Sequence, residues 1–143
     1  MSTSKRAVLD ANIHLRGVFG RRVRGLSKTY EDSVEFYAPD VCFADAERHI
    51  PTISVRRGVD PALAQQVLSQ MLGGLIQVVD RSLYEEFEER ARARISSRDT
   101  DDWPVVATAL LLNAPIWTKD KDFFGSGIAT WTSDRIEIYL RDA

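Results

Sequence analysis

Short apolar segments alternating with longer helical patterns predict an α/β fold, a parallel sheet with helices on both of its faces. Three features of the 143-residue sequence carry that prediction. The apolar runs at 6–9, 35–38, 75–79 and 116–117 are only a few residues long, as strands of a sheet buried on both faces are. Between them, apolar residues recur at intervals of three and four, the period of a helix with one buried stripe. Acidic residues and prolines open these helical stretches, and glycine or asparagine closes them. The order read in this way is β-α-β-α-α-β-α-α-β with a terminal strand, and a single domain over residues 1–143 is expected from the length.

Residues 6–9 (RAVL) read as a short buried strand ending at Asp10. A helical pattern follows, with Phe19, Val23, Leu26 and Tyr30 on its apolar stripe and Arg21, Arg22, Arg24 and Lys28 between them. Residues 35–38 (EFYA) give a second strand closed by Pro39 and Asp40, and the helix after it carries Asp45, Glu47, Arg48 and His49. Asp60 and Pro61 make an N-cap and first-turn pair, Leu63, Val67, Leu68, Met71 and Leu72 repeat at helical spacing, and Gly73 with Gly74 ends that helix. Residues 75–79 form the third strand. Leu83, Phe87, Ala91 and Ile95, at intervals of four, define another helix, with Arg90, Arg92, Arg94 and Arg98 toward its C-terminal end, where the helix dipole favours positive charge.

The densest stretch is 98–125. Asp102 can serve as N-cap, Pro104 lies in the first turn, and Val105, Val106, Ala107, Ala109, Leu110, Leu111 and Leu112 leave Thr108 as the only polar residue of the run. Such a helix should be enclosed on most sides. Asn113 and Pro115 end it, Ile116 and Trp117 make a short strand, and Thr118, Asp120 and Asp122 follow at that strand's carboxyl end. Residues 130–132 and 135–140 alternate polar and apolar positions and read as one or two late strands.

Composition bounds the rest. Hydrophobic residues make up 44% and charged residues 28%, as in ordinary globular proteins, and no apolar run approaches the ~20 residues of a membrane span. The N-terminal MSTSKRAVLD has no signal-peptide apolar region. One cysteine, Cys42, excludes an intrachain disulfide and fits a cytoplasmic location. A net charge of -2 means that a polyanionic partner would need local basic patches. Arg21, Arg22 and Arg24, and again Arg90, Arg92 and Arg94, are two such patches; solvated faces with surface ion pairs are the plainer reading of both.

Acidic residues mark the strand ends. Asp10 follows the first strand, Asp45 opens the helix after the second, Asp102 opens the helix before the fourth, and Asp120 and Asp122 follow that strand. In open α/β sheets, ligands bind beyond the carboxyl ends of strands where the strand order reverses, so these carboxylates converge if the first and fourth strands are neighbours there. Clustered carboxylates repel one another unless a cation neutralises them, and hard oxygen ligands select Mg2+ or Mn2+. Such a site can activate water and clamp the non-bridging oxygens of a phosphodiester.

LDAN at 9–12, Asp45 after the second strand, DDWPVVATALLL at 101–112 and IWTKDKDFFG at 116–125 resemble the motif regions of PIN-domain ribonucleases, including the VapC-like toxins of toxin–antitoxin pairs. The resemblance covers almost the whole chain, and its strongest part is the Asp102 helix followed by Thr-x-Asp-x-Asp-Phe. It implies a three-layer α/β/α fold around a mainly parallel sheet of four to five strands, Mg2+- or Mn2+-dependent cleavage of RNA to 5′-phosphate and 3′-hydroxyl ends, an antitoxin partner and often a homodimer. Asp10, Asp102 and Asp120 match family acidic ligands, Asp122 an auxiliary acid, and Asn12 and Thr118 polar residues that steady the site. The family usually has Glu in its second acidic region, and here that slot is Asp45. Glu47 sits two positions on, about 200° round a helix, so both cannot face one ion. Register selects Asp45 and leaves Glu47 to solvent.

Other readings stand beside these. Asp99 and Asp101 read as solvated charges at the helix start, His14 and His49 as non-catalytic, and Cys42 as a small buried apolar residue. The three tryptophans read as packing, with base stacking by Trp103 or Phe123 as the functional alternative. The rival class is a non-catalytic metal-binding or receiver-like interaction domain. Against it, Asp10 stands alone where a receiver has paired acids, and Lys119 and Lys121 interleave with acidic residues.

Overall fold

The computed structural model describes residues 5–95, 100–119, 123 and 125–141. The elements run β1 (Lys5–Leu9), α1 (Ala11–Phe19), α2 (Arg22–Thr29), β2 (Val34–Pro39), α3 (Asp40–Arg57), α4 (Pro61–Gly74), β3 (Ile76–Val79), α5 (Arg81–Tyr84), α6 (Glu88–Arg94), α7 (Trp103–Leu112), β4 (Ile116–Trp117), β5 (Thr130–Trp131) and α8 (Ile136–Arg141). The strands form one sheet in the order β3-β2-β1-β4-β5, and every pair is parallel. The chain builds outward from β1 through β2 to β3, then returns to lay β4 on the other side of β1. The strand order therefore reverses between β1 and β4, where Val8 pairs with Ile116 and Leu9 with Trp117.

β1 is central, so Ala7, Val8 and Leu9 are fully buried, and an unbroken apolar run is the pattern a strand covered on both faces requires. α7 packs beside it. Every residue from Trp103 to Ala109 is buried, and the one polar side chain, Thr108, returns its hydroxyl to the Pro104 carbonyl at 2.8 Å. Burial therefore leaves no orphaned hydroxyl. Asn113 closes α7 in the left-handed region at φ 51°, which Asn tolerates better than most residues. Trp117 of β4 is buried and its ring lies 6.0 Å from that of Phe36 on β2.

Four details differ from the sequence reading, and the first is the helix read through Leu83 and Ile95, which is α5 and α6 joined by a 3-10 turn at Glu85–Phe87. The basic helical pattern through Phe19 and Tyr30 is two helices, broken at Gly20 and Arg21. A Cβ at position 20 would stand 2.9 Å from the Arg16 carbonyl oxygen, so the chain turns there only without a side chain. Residues 135–140 are not a strand but most of α8, whose Ile136 and Leu140 bury at a spacing of four; over six residues, alternation and helical spacing overlap. Asp102 precedes α7 from a 3-10 turn and makes no side-chain cap to it. The cap read at Asp60 is present, accepting from the Ala62 amide at 3.0 Å, and Asp10 also caps α1, accepting from the Ile13 amide at 3.0 Å. Among the described residues, no helix is long and apolar enough to cross a membrane.

Candidate metal centre

The carboxyl ends of β1 and β4 meet at the switch point, and Asp10 sits on it. The Asp10 amide reaches the Trp117 carbonyl at 3.4 Å, extending the pairing of the two strands by one step. The Asp10 side chain caps α1, and its other oxygen accepts the Thr118 hydroxyl in a short hydrogen bond. Asp10 is 5% exposed and Thr118 is fully buried. A carboxylate that is both capping and hydroxyl-bound has little rotational freedom. Thr118 is itself anchored, its amide donating to the Trp131 carbonyl of β5 at 3.0 Å.

Asp10, Asp45 and Asp102 line one cleft of about 410 Å3, together with Asn12, Cys42 and Arg48. Cys42 reports on their convergence: burial pushes its thiol well above the usual range, and the negative charges of Asp10, Asp45 and Asp102 push it the same way, while the Ala11 amide partly offsets them. Three segments far apart in sequence thus set their charges around one buried sulfur. Cys42 is buried, as the sequence reading has it, and inert as a thiolate.

The three acids are held differently. The Asp45 side chain is 43% exposed, and Arg48, one turn on, pairs with it at 3.0 Å. Asp102 is partly buried. Its neighbour Trp103 is buried against the Tyr84 ring, with centroids 5.6 Å apart, and the guanidiniums of Arg81 and Arg92 lie 5.4 and 5.5 Å from its ring centroid. Tyr84 donates to Asp40 at 2.7 Å; burial raises its phenol pKa first of all, and the Asp40 hydrogen bond adds to the rise. The start of α7 is therefore braced from the α5 side, which fixes where Asp102 enters the cleft.

Asn12 is exposed on the cleft rim and Glu47 is exposed away from it. Asp101, read as a solvated charge, is exposed and also lines the cleft. Asp120 and Asp122 lie outside the described residues. Trp103 and Phe123 are buried at 5% and 1% exposure, which removes base stacking from both. His14 is also fully buried: its Nδ1 meets the Asp10 carbonyl at 2.6 Å, its ring packs edge-on against Phe43, and burial lowers its pKa to about 4. Arg48 is the site residue that sequence reasoning passed over; its spacing of three from Asp45 was the available signal.

The donor set is carboxylate oxygen, the chemistry that suits a hard divalent cation. Among the described residues, no group of three or more His, Cys, Asp and Glu is placed to hold a metal ion, so the cleft gathers the donors without closing a coordination shell from them. The fit to a cation rests on ligand type and on their meeting at one place.

A parallel sheet in the order β3-β2-β1-β4-β5 with acidic residues at its switch point defines a class of α/β proteins that bind ligands at the sheet's carboxyl edge. Residues 8–141 match the PIN domain family, and the chain belongs to that family. No curated protein matches the sequence significantly. Among solved structures, it is similar to PAE2754 from Pyrobaculum aerophilum, with a TM-score of 0.72 at 14% identity over 97% of this chain and 91% of that one. VapBC2 from Rickettsia felis, bound to a DNA fragment from their promoter, gives a TM-score of 0.68 at 12% identity over 89% and 98% of the two chains. FitAB bound to the IR36 DNA fragment gives 0.60 at 16% identity over 89% and 94%.

Proposed function

We propose that the protein is a divalent-cation-dependent endoribonuclease that acts in the cytoplasm as the toxin of a toxin–antitoxin pair. The observation that carries this reading is the convergence of Asp10, Asp45 and Asp102 on one cleft at the switch point of a PIN-domain sheet. Asp10, Asp45, Asp102 and Asp120 would hold Mg2+ or Mn2+, with Asp122 assisting. When bound, such an ion supplies Lewis acidity toward a phosphodiester and toward the water that attacks it.

The chain's own residues contribute orientation and charge. Asp10 offers its carboxylate already turned, because the Ile13 amide and the Thr118 hydroxyl fix its two oxygens. Asp45 is free to adjust, since the Arg48 ion pair is exposed and exposed pairs are worth only ~0–1 kcal/mol. Arg48 can exchange Asp45 for a phosphate oxygen at small cost, bringing a positive charge to the substrate side of the cleft. His14 is fully buried and neutral, so it is not placed to take a proton from the attacking water.

The partner part of the proposal draws on the fold shared with VapBC2, seen bound to a DNA fragment from their promoter, and FitAB, seen bound to the IR36 DNA fragment. An antitoxin would cover the acidic cleft, and a homodimer is the proposed assembly. Labelled RNA incubated with the protein in Mg2+ or Mn2+ should be cut to 5′-phosphate and 3′-hydroxyl ends, and chelation or Asp10→Asn should stop cleavage. Undiminished cleavage by Asp10→Asn would overturn the metal-centre reading, and absence of cleavage under all cation conditions would favour a non-catalytic interaction domain.

A further inference from the structure

We propose that the groove at the corner between α1 and α2 seats the phosphodiester backbone of single-stranded RNA and passes the strand into the acidic cleft. The groove, about 530 Å3, is the larger neighbour of the acidic cleft, and Asn12 lines both. Arg16, Arg21, Arg22, Arg57 and Lys119 line it, and among the described residues no carboxylate does. On a chain of net charge -2, this concentrates positive charge immediately beside the acidic cleft. An acidic cleft alone repels a polyanion, so a strand that reaches it needs an adjacent seat of opposite sign.

Local structure prepares the groove for anions. α2 begins at its rim without a side-chain cap, so the first-turn amides of this eight-residue helix are not satisfied by a capping side chain. Gly20 keeps the corner tight, so Arg16 and Arg21, on either side of the turn, line one cavity.

The walls select single strands. Phe19 is partly buried in the groove, with the Arg57 guanidinium 5.9 Å from its ring centroid, and Leu15 and Ile53 extend the apolar surface. A duplex keeps its bases stacked inside and gains little from such a wall. A single strand can lay an unstacked base or ribose on it while its phosphates meet the arginines. The proposal rests on the nuclease reading only for the strand's destination; its seat is a matter of binding.

Binding can therefore be measured without cleavage. Fluorescence anisotropy of a labelled oligouridylate, in EDTA and across ~50 to ~200 mM salt, should give a steep salt dependence for the unaltered protein. The combined variant Arg16→Gln, Arg21→Gln, Arg57→Gln should bind at least ~10-fold more weakly and lose about 2 from the log–log salt slope, at ~0.7 per single-strand phosphate. Arg90→Gln, Arg135→Gln, Arg141→Gln changes net charge equally on α6 and around α8, and should keep both affinity and slope. Should the first variant melt early, Arg16→Gln with Lys119→Gln serves instead, with an expected slope loss of about 1. Unlabelled duplex RNA and polyglutamate should compete poorly. Equal loss in the control variant, an unchanged slope in both groove variants, or duplex or acidic peptide competing as well as single-stranded RNA would overturn the proposal. A protein that binds as described and never cleaves would overturn the nuclease reading and leave this one standing.

Discussion

Asp10 and Asp45 face the same cleft, yet the first is 5% exposed and hydrogen-bonded on both oxygens, while the second has a side chain 43% exposed and paired to an exposed arginine. The difference follows from where each is anchored. Asp10 ends the central strand and begins a helix at the switch point, so the sheet register and the cap dictate its position. Asp45 lies past the first turn of α3, on a helix that needs no cap there, so only its helical phase brings it to the cleft. One side of the cleft is set by backbone geometry and the other adapts. Each substitution below removes one side's restraint and reads what the other side does.

The largest effect is expected from neutralising the fixed side. Asp10→Asn keeps a capping residue at the start of α1, so the fold should survive, but it removes the charge the site is built around. RNA cleavage should fall by at least ~100-fold, whereas Asp45→Asn, on the adaptable side, should cost only ~10-fold because neighbouring acids and water can substitute. Equal losses in single-turnover assays of the two variants would dissolve the distinction.

The fixed side should also be the acid-labile one. His14 lies fully buried against the Asp10 carbonyl and Phe43, and burial holds its pKa at about 4, below the ordinary value of 6.5. Protonation is thus disfavoured in the folded state and allowed in the unfolded one, so between those two pH values the unfolded chain binds more protons. Stability contributed by neutral His14 is complete above about pH 6.5 and is lost as pH falls toward 4, to a total of ~3 kcal/mol by the pKa difference. Denaturant melts from pH 7 to pH 4 check this. His14→Phe should flatten that limb, and an unchanged limb would mean another group controls it.

Thr118→Val tests the hydroxyl that locks Asp10. The buried valine keeps the volume and the strand, so stability should drop by only ~1 kcal/mol, while cation affinity and cleavage should fall ~10- to 100-fold through a loosened carboxylate. Calorimetric titration with Mn2+ separates the two effects. A stability loss without an affinity loss would assign Thr118 to packing alone.

What the sequence revealed divides along the same line. Asp10, Thr118 and the buried run of α7 were legible because strand ends, caps and apolar runs are local signals, and the parallel sheet followed from the alternation of elements. The break at Gly20 was not, since an apolar stripe at intervals of four and three runs across it unbroken; only the clash with the Arg16 carbonyl makes the turn obligatory. α8 was misread because six residues with Ile136 and Leu140 satisfy two periods at once. The role of Asp102 as a cap was a reasonable local inference, but the residue ends a 3-10 turn before α7, with a backbone outside the extended region usual for an N-cap, and makes no capping hydrogen bond. Arg48 was passed over for a different reason: its spacing of three from Asp45 is a signal, but an exposed arginine one turn from an acid is common on helices, and only the cleft gives the pair a meaning.

That pair yields the smallest and most discriminating effect. Arg48 holds Asp45 at 3.0 Å with both side chains substantially exposed, so Arg48→Ala should leave the melting temperature unchanged within error. In the absence of RNA, removing the competing guanidinium should tighten Mn2+ binding a few-fold, because Asp45 no longer exchanges one cation for another. With RNA present, the same variant should bind substrate more weakly, having lost a positive charge beside the phosphate, and should show a smaller salt slope. Opposite shifts in cation and RNA affinity would mark Asp45 as the adjustable wall of the cleft. A shift of both in the same direction, or in neither, would place Arg48 among ordinary surface charges and leave the fixed side to carry the site alone.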